Sequence, residues 1–203
     1  MPVIDTSDAL RNLYKAAGGR SVEKELSALD KHCRHFISLS PFLVIGSSSA
    51  SGPADVSPRG ETPGFVQVLD DTHLAVPDRP GNNRLDTFEN ILENPNVALI
   101  FLIPGVDETL RINGRAEIRD DIDLLERFEV SGRLPATVLV VAVEAAYLHC
   151  AKALMRSNFW DPEAQVNRTE LPTMGRMISD QIGVTDEPET QDAMQARYRQ
   201  RLY

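Results

Sequence analysis

The sequence predicts a mainly β (α+β) fold: an antiparallel barrel of about six strands with flanking helices at both ends. Three observations carry this expectation. Strand-length apolar runs fill the middle of the 203-residue chain, interrupted by one strongly amphipathic helix. The runs are joined by short, turn-rich connections, which suit antiparallel pairing because parallel strands need long crossovers. The chain also lacks the regular strand–helix alternation of a Rossmann fold, and it contains neither G-x-G-x-x-G nor G-x-x-x-x-G-K-[ST].

Taken in order, Thr6 or Ser7 can cap a helix running to about Ala17, ended by Gly18-Gly19. Ser21 can cap a second helix with Val22, Leu26, Leu29, Cys33, Phe36 and Ile37 as its apolar positions, closed by Ser40-Pro41. Phe42 to Gly46 reads as a strand, Ser49 to Pro53 as a turn, and Ala54 to Arg59 as the returning strand of a hairpin. Phe65 to Leu69 and Leu74 to Val76 form another pair around Asp70-Asp71. Leu85, Phe88, Ile91 and Leu92 then recur at helical spacing up to the stop at Asn94-Pro95-Asn96. Val97 to Ile103 is the most apolar run and is expected to be central. In Glu108 to Arg119, Leu110, Ile112, Gly114, Ala116 and Ile118 alternate with polar residues, which marks a strand with one wet or ligand-facing side. A short helix over 120–128, a buried strand over 138–143 and a helix or turn-plus-helix over 145–157 follow. The resulting organisation is a helical segment (1–40), a barrel domain (41–157) and a polar helical extension (158–203).

Composition narrows the function classes. A net charge of −9 excludes a general nucleic-acid binder, which needs surplus Lys and Arg on its binding face. A small anionic ligand needs only a local cluster. Asp, Arg, Lys or Pro interrupts every apolar run before it reaches membrane-span length, and Met1 to Leu10 has no signal-peptide character. A soluble, cytoplasmic protein is expected. The two cysteines, Cys33 and Cys150, each follow a histidine, but no close ligand spacing accompanies them. Two buried thiols and no metal site are expected.

Four constellations carry chemistry. The strand end Asp55-Val56-Ser57-Pro58-Arg59 places a hydroxyl and a guanidinium at a barrel rim, and Arg suits paired N–H recognition of a carbonyl or phosphate. Asp78-Arg79-Pro80-Gly81-Asn82-Asn83-Arg84 precedes a helix N-terminus, where free N–H groups and the helix dipole favour an anion. Arginines are repelled from such an end, so Arg79 and Arg84 there point to a bound anion that offsets the repulsion. In the segment His149 to Trp160, Lys152 and Arg156 share a helix face with His149 on the same side, giving a basic face beside an indole. Thr109, Arg111 and Asn113 lie on one strand face, opposite Leu110 and Ile112. No Ser-His-Asp or Cys-His arrangement is legible, so hydrolysis has no positive support.

Together these segments resemble the pyridoxamine 5′-phosphate oxidase-like superfamily of FMN-binding split β-barrels, and more closely its uncharacterised bacterial oxidase-related branch. The resemblance rests on Asp55 to Gly60, Pro77 to Arg84, the helix ending Asn90 to Pro95, and Leu110 to Ala116, and it covers roughly residues 35–157. It implies that Asp55, Val56, Ser57, Pro58 and Arg59 lie along the isoalloxazine and ribityl chain of FMN. Asn83 and Arg84 would grip its phosphate, with Asn82 beside them among the cofactor-binding residues, Pro77 and Asp78 would border the ring, and Thr109 or Arg111 would arrive from the second subunit of a homodimer. The W-R-x-x-R-x-E-F-W and Arg-x-His segments of true pyridoxamine phosphate oxidases are missing here. The implied function is therefore an FMN-dependent oxidoreductase acting on an unidentified small substrate. His149, Lys152, Arg156 and Trp160 are the candidates for orienting that substrate. Two rivals stand beside this reading: a non-catalytic flavin-binding or sensing module, and a barrel binding haem or deazaflavin F420, with His149 or His32 as the possible axial ligand of haem.

Overall fold

The computed structural model describes residues 3–185 and 187–203. Three helices come first, α1 (Ser7–Arg11), α2 (Gly19–Glu23) and α3 (Lys31–Leu39). The strands β1 (Phe42–Ser48), β2 (Ala54–Gly60), β3 (Gln67–Val68) and β4 (His73–Pro77) lead into α4 (Asp86–Glu93). Next come β5 (Asn96–Leu102), β6 (Thr109–Arg119), α5 (Ile122–Glu126) and β7 (Val138–His149). Helices α6 (Lys152–Ser157), α7 (Met174–Ile182) and α8 (Gln191–Arg199) close the chain. The seven strands form one antiparallel sheet in the order β2-β1-β5-β6-β7-β4-β3. Its edges, β2 and β3, do not pair, so the barrel is split rather than closed. The strand expected over Phe65 to Leu69 is present as β3 but shortened to two residues.

Alternation along the strands places the core. Leu43 and Ile45, Leu74 and Val76, Leu99 and Phe101, Leu110 and Ile112, and Leu139 and Val141 all point inward and are essentially inaccessible. Helix α3 packs Cys33 and Ile37 onto this layer, and α4 adds Phe88 and Ile91. A second cluster joins Ala75, Val138 and Val140 to Leu125 and Phe128, so part of β4 and β7 is covered on both faces. That double cover explains the unbroken apolar run of β7. Gly114 sits at the register shift between β6 and β7, where a Cβ would lie 2.1 Å from the Ala142 carbonyl oxygen. Only glycine fits so close a backbone approach.

The structure corrects several sequence expectations. The first helix stops at Arg11, and Gly18 opens α2 instead of ending a longer helix. The second expected helix is broken: Leu26 exchanges backbone hydrogen bonds with Ala146 of β7, and Asp30 restarts the helix by accepting from the His32 and Cys33 amides. Strand β7 continues through Ala145 to His149 because those residues find partners in Asn113 to Thr109, leaving only 152–157 helical. Cys33 is buried, and burial pushes its thiol up to about 11, but Cys150 is exposed. Among the described residues no helix is long and apolar enough to cross a membrane.

Beyond α6, an arm of short 3-10 turns and two capped helices follows. Thr173 and Thr190 accept hydrogen bonds from the Arg176 and Ala193 amides at the starts of α7 and α8. Neither helix buries a residue.

Candidate functional site

A cleft of about 420 Å³ opens between edge strand β2 and the connection from β4 to α4. Its walls are Asp55, Val56, Ser57 and Arg59 on one side and the segment Asp78–Phe88 on the other, Pro80 excepted. Pro58 is accommodated in β2 because an edge strand has N–H groups to spare. The connection makes its turn through Asn83 and Leu85, both left-handed with φ of 58° and 57°. Asn82 supports that turn by accepting a hydrogen bond from the Arg84 amide at 3.0 Å. Leu85 is the N-cap of α4 and supplies no side-chain cap. The first amides of the helix therefore reach the cleft without a side-chain partner, which is the arrangement that receives an anion.

The two arginines of this loop differ sharply. Arg79 forms a two-pronged ion pair with Glu61, Nε to Oε2 at 2.7 Å and Nη2 to Oε1 at 3.1 Å, and the side chains are only 16% and 7% exposed. Arg84 meets Asp86 at 2.5 Å with its side chain 77% exposed. The repulsion expected of Arg79 is thus already offset by Glu61 and that of Arg84 in part by Asp86; of the two, the exposed Arg84 keeps its terminal nitrogens for an incoming anion. Across the cleft, Arg59 donates from Nη1 to the Ser57 hydroxyl at 2.8 Å and to the Pro58 carbonyl at 3.2 Å, and its guanidinium lies 5.9 Å from the Phe88 ring centre. Its Nε and Nη2 have no hydrogen-bond partner among the described residues. Thr87 donates to Asp55 at 3.3 Å, tying the helix start to β2. Burial pushes the Asp78 carboxyl above its ordinary range, against the pull of Arg59.

The structure brings Asp55, Val56, Ser57, Arg59, Asp78, Asn82, Asn83 and Arg84 to this one cleft. Pro58 and Pro77 line a smaller cavity of about 230 Å³ that shares Arg59, Asp78, Arg79 and Gly81 with it. Thr109 and Arg111 lie outside both. The Thr109 hydroxyl is buried with no hydrogen-bond partner among the described residues, and Arg111 stacks 5.1 Å from the Tyr147 ring centre. Of the basic face expected over His149 to Trp160, the Lys152–Arg156 pair keeps its shared helix face, while His149 falls on a strand. His149 ends β7, Lys152 and Arg156 ride on α6, and Trp160 is anchored by donating to the Val106 carbonyl at 2.9 Å. None of the four lines the cleft. Sequence reasoning missed Glu61, Thr87 and Phe88; the apolar period of α4 had marked Phe88 only as core. Among the described residues no cluster of three or more His, Cys, Asp or Glu is placed to hold a metal.

The family of pyridoxamine 5′-phosphate oxidases matches residues 29–150, a span that includes all of the barrel and the whole cleft. The chain belongs to that family. No curated protein matches it. Among solved structures it is similar to a proposed pyridoxamine 5′-phosphate oxidase of Lactobacillus delbrueckii, with 22% identity over 61% of this chain and 98% of that one (TM-score 0.48). HupZ of Group A Streptococcus shares 18% identity over 59% and 92% of the two chains (TM-score 0.48). An FMN-binding protein of Syntrophomonas wolfei shares 12% over 58% and 83% (TM-score 0.46).

Proposed function

We propose that this member of the pyridoxamine 5′-phosphate oxidase family binds FMN in the β2–α4 cleft and serves as an FMN-dependent oxidoreductase. The observation that carries the proposal is the uncapped start of α4 with exposed Arg84 beside it, facing Arg59 on β2 across one cleft. The residues present fit a ligand with an anionic end and a flat polar ring. Arg84 and the first amides of α4 would hold the phosphate, with Asn82 and Asn83 shaping the turn around it. Arg59, steadied by Ser57 and Phe88, has Nε and Nη2 free to donate to the ring system. Bound there, FMN would supply two-electron or hydride transfer to a small substrate. Donors fixed before reaction stabilise charge where it develops, and Arg59 is the residue placed to do this.

A homodimer with flavin at the subunit interface belongs to the same proposal. Thr109 and Arg111 are remote from their own chain's cleft, so they would act only in that of a second copy. Of the two, Arg111 is the one partly open to such a contact, since the Thr109 hydroxyl is enclosed within its own chain.

The test is the absorption spectrum of the purified protein, with chromatography of the acid-released chromophore. Flavin bands and released FMN are expected. Arg84→Ala should weaken FMN by about 10–100-fold, as expected for a charge-assisted hydrogen bond. A colourless protein that ignores added FMN, or unchanged affinity in Arg84→Ala, would overturn the assignment. Tight FMN without turnover of amines, quinones or reduced nicotinamides would leave a flavin-binding module.

A further inference from the structure

Trp160, left outside the cleft, lines a cavity of its own. About 300 Å³ in volume, it lies between the C-terminal end of α6 and the connection from β5 to β6. Leu154, Met155, Phe159 and Trp160 supply its apolar surface, and Asp107, Asn158 and Asp161 its polar part. None of these residues lines the β2–α4 cleft or the smaller cavity beside it. Asn158 ends α6 in the left-handed conformation, with φ of 49°, so the chain reverses and delivers Phe159 and Trp160 in succession. Their rings meet nearly at right angles, 80° between planes with centres 4.7 Å apart. The indole N–H donates to the Val106 carbonyl at 2.9 Å, which fixes Trp160 against the neighbour of Asp107.

Donors and acceptors around this cavity are unequally used. The Asn158 amide is spent on the Leu154 and Met155 carbonyls, the Phe159 amide on Leu154, and the Asp161 amide on Asn158. The indole N–H is spent on Val106. The acceptors are not. Asp161 Oδ1 receives the Glu163 amide at 2.9 Å, but its Oδ2 and both oxygens of the half-buried Asp107 have no hydrogen-bond partner among the described residues. No Lys, Arg or His lines the cavity, although Lys152 and Arg156 stand on the same helix. Two carboxylates without a cation, beside aromatic faces whose quadrupole is also negative, repel an anion. They accept a cation that carries N–H groups, through charge-assisted hydrogen bonds and cation–π contact. The basic face that the sequence sets beside this indole is replaced, at the indole itself, by an acidic one.

We infer that this cavity is a second ligand site, taking a small primary ammonium compound with an aromatic or apolar body. Its volume is at the lower end of ligand pockets, about 300–1,000 Å³, and suits one ring with a short ammonium-bearing chain. Because the cavity shares no residue with the cleft, the inference does not depend on the flavin. The test is titration of the full chain with phenethylammonium, read by the fluorescence of Trp160, the chain's one tryptophan. Phenethylammonium should bind about 10–100-fold tighter than its neutral counterpart 2-phenylethanol, the factor for charge-assisted hydrogen bonds, and phenylacetate should not bind. Asp107→Asn, which removes charge and little else, should cut the preference for the ammonium over the alcohol about tenfold. Phe159→Leu should weaken the ammonium about 2–5-fold, as for a cation–π contact at an exposed site. Phenylacetate or 2-phenylethanol binding as tightly as phenethylammonium would overturn the site. So would an unchanged preference in Asp107→Asn, which would place the ammonium elsewhere on the chain. Absence of a saturable response by ~10 mM phenethylammonium would overturn it as well.

Discussion

In the barrel, Phe101, Leu110 and Ile112 are wholly buried. In the arm, Met174, Ile178 and Ile182 recur at helical spacing as regular as the barrel's strand alternation, yet all three are exposed, by 44%, 46% and 67%. Both regions have good local signals: strand alternation and turn residues in the barrel, an apolar period and threonine caps in the arm. Only the barrel has a second face for its apolar stripe to meet. Period and capping are enough to shape a helix, but most helical stability comes from packing that face. The lesson extends to the ion pairs. Glu61 and Arg79, enclosed between β2 and the β4–α4 connection, are fixed, whereas Arg84 stays open to solvent in the same loop.

The contrast can be broken by substitution, beginning where the expected effect is greatest. Phe101→Ala should cost about 3–5 kcal/mol of stability in a denaturant titration, because no neighbour can refill a fully enclosed site. A loss below about 1 kcal/mol would mean the barrel interior is no better packed than the arm. Gly114→Ala should cost about 1–3 kcal/mol or more, since the new methyl meets backbone rather than a yielding side chain. Refolded protein of parental stability would show that the β6–β7 approach is looser than described.

Asp78, at the seam between barrel and cleft, gives a subtler test. Its carboxyl is raised by burial, so the folded chain keeps that proton to higher pH than the unfolded chain does. Stability from this group is complete below the unfolded value, about pH 4, and is lost as pH rises through the folded one. Asp78→Asn should therefore raise the melting temperature at about pH 7 and leave it unchanged below about pH 3. Equal gains at both pH values would assign the effect to something other than ionisation. The smallest effect belongs to the arm: Ile178→Ser on α7 should change stability by no more than about 0.5 kcal/mol. A larger loss in the isolated monomer would show that the stripe is covered after all.

Much of this protein was legible before its structure. Hairpin spacing and the apolar runs Phe42 to Gly46 and Val97 to Ile103 announced an antiparallel sheet, and the alternation from Leu110 to Ile118 assigned the faces of β6. Asp55 to Arg59 and Asp78 to Arg84 were visible as a strand end and a helix start suited to an anion, because capping and dipole effects act within a few residues of the chain. What needed the fold was every outcome set by a distant partner. Leu26 left its helix because the Ala146 backbone offered hydrogen bonds, and Ala145 to His149 became strand because β6 lay alongside. Arg79 was taken by Glu61, 18 residues earlier, and its face by Tyr203. Local patterns determine which conformations a segment can adopt. Burial and charge pairing, which depend on residues far apart in sequence, decide which of those it keeps.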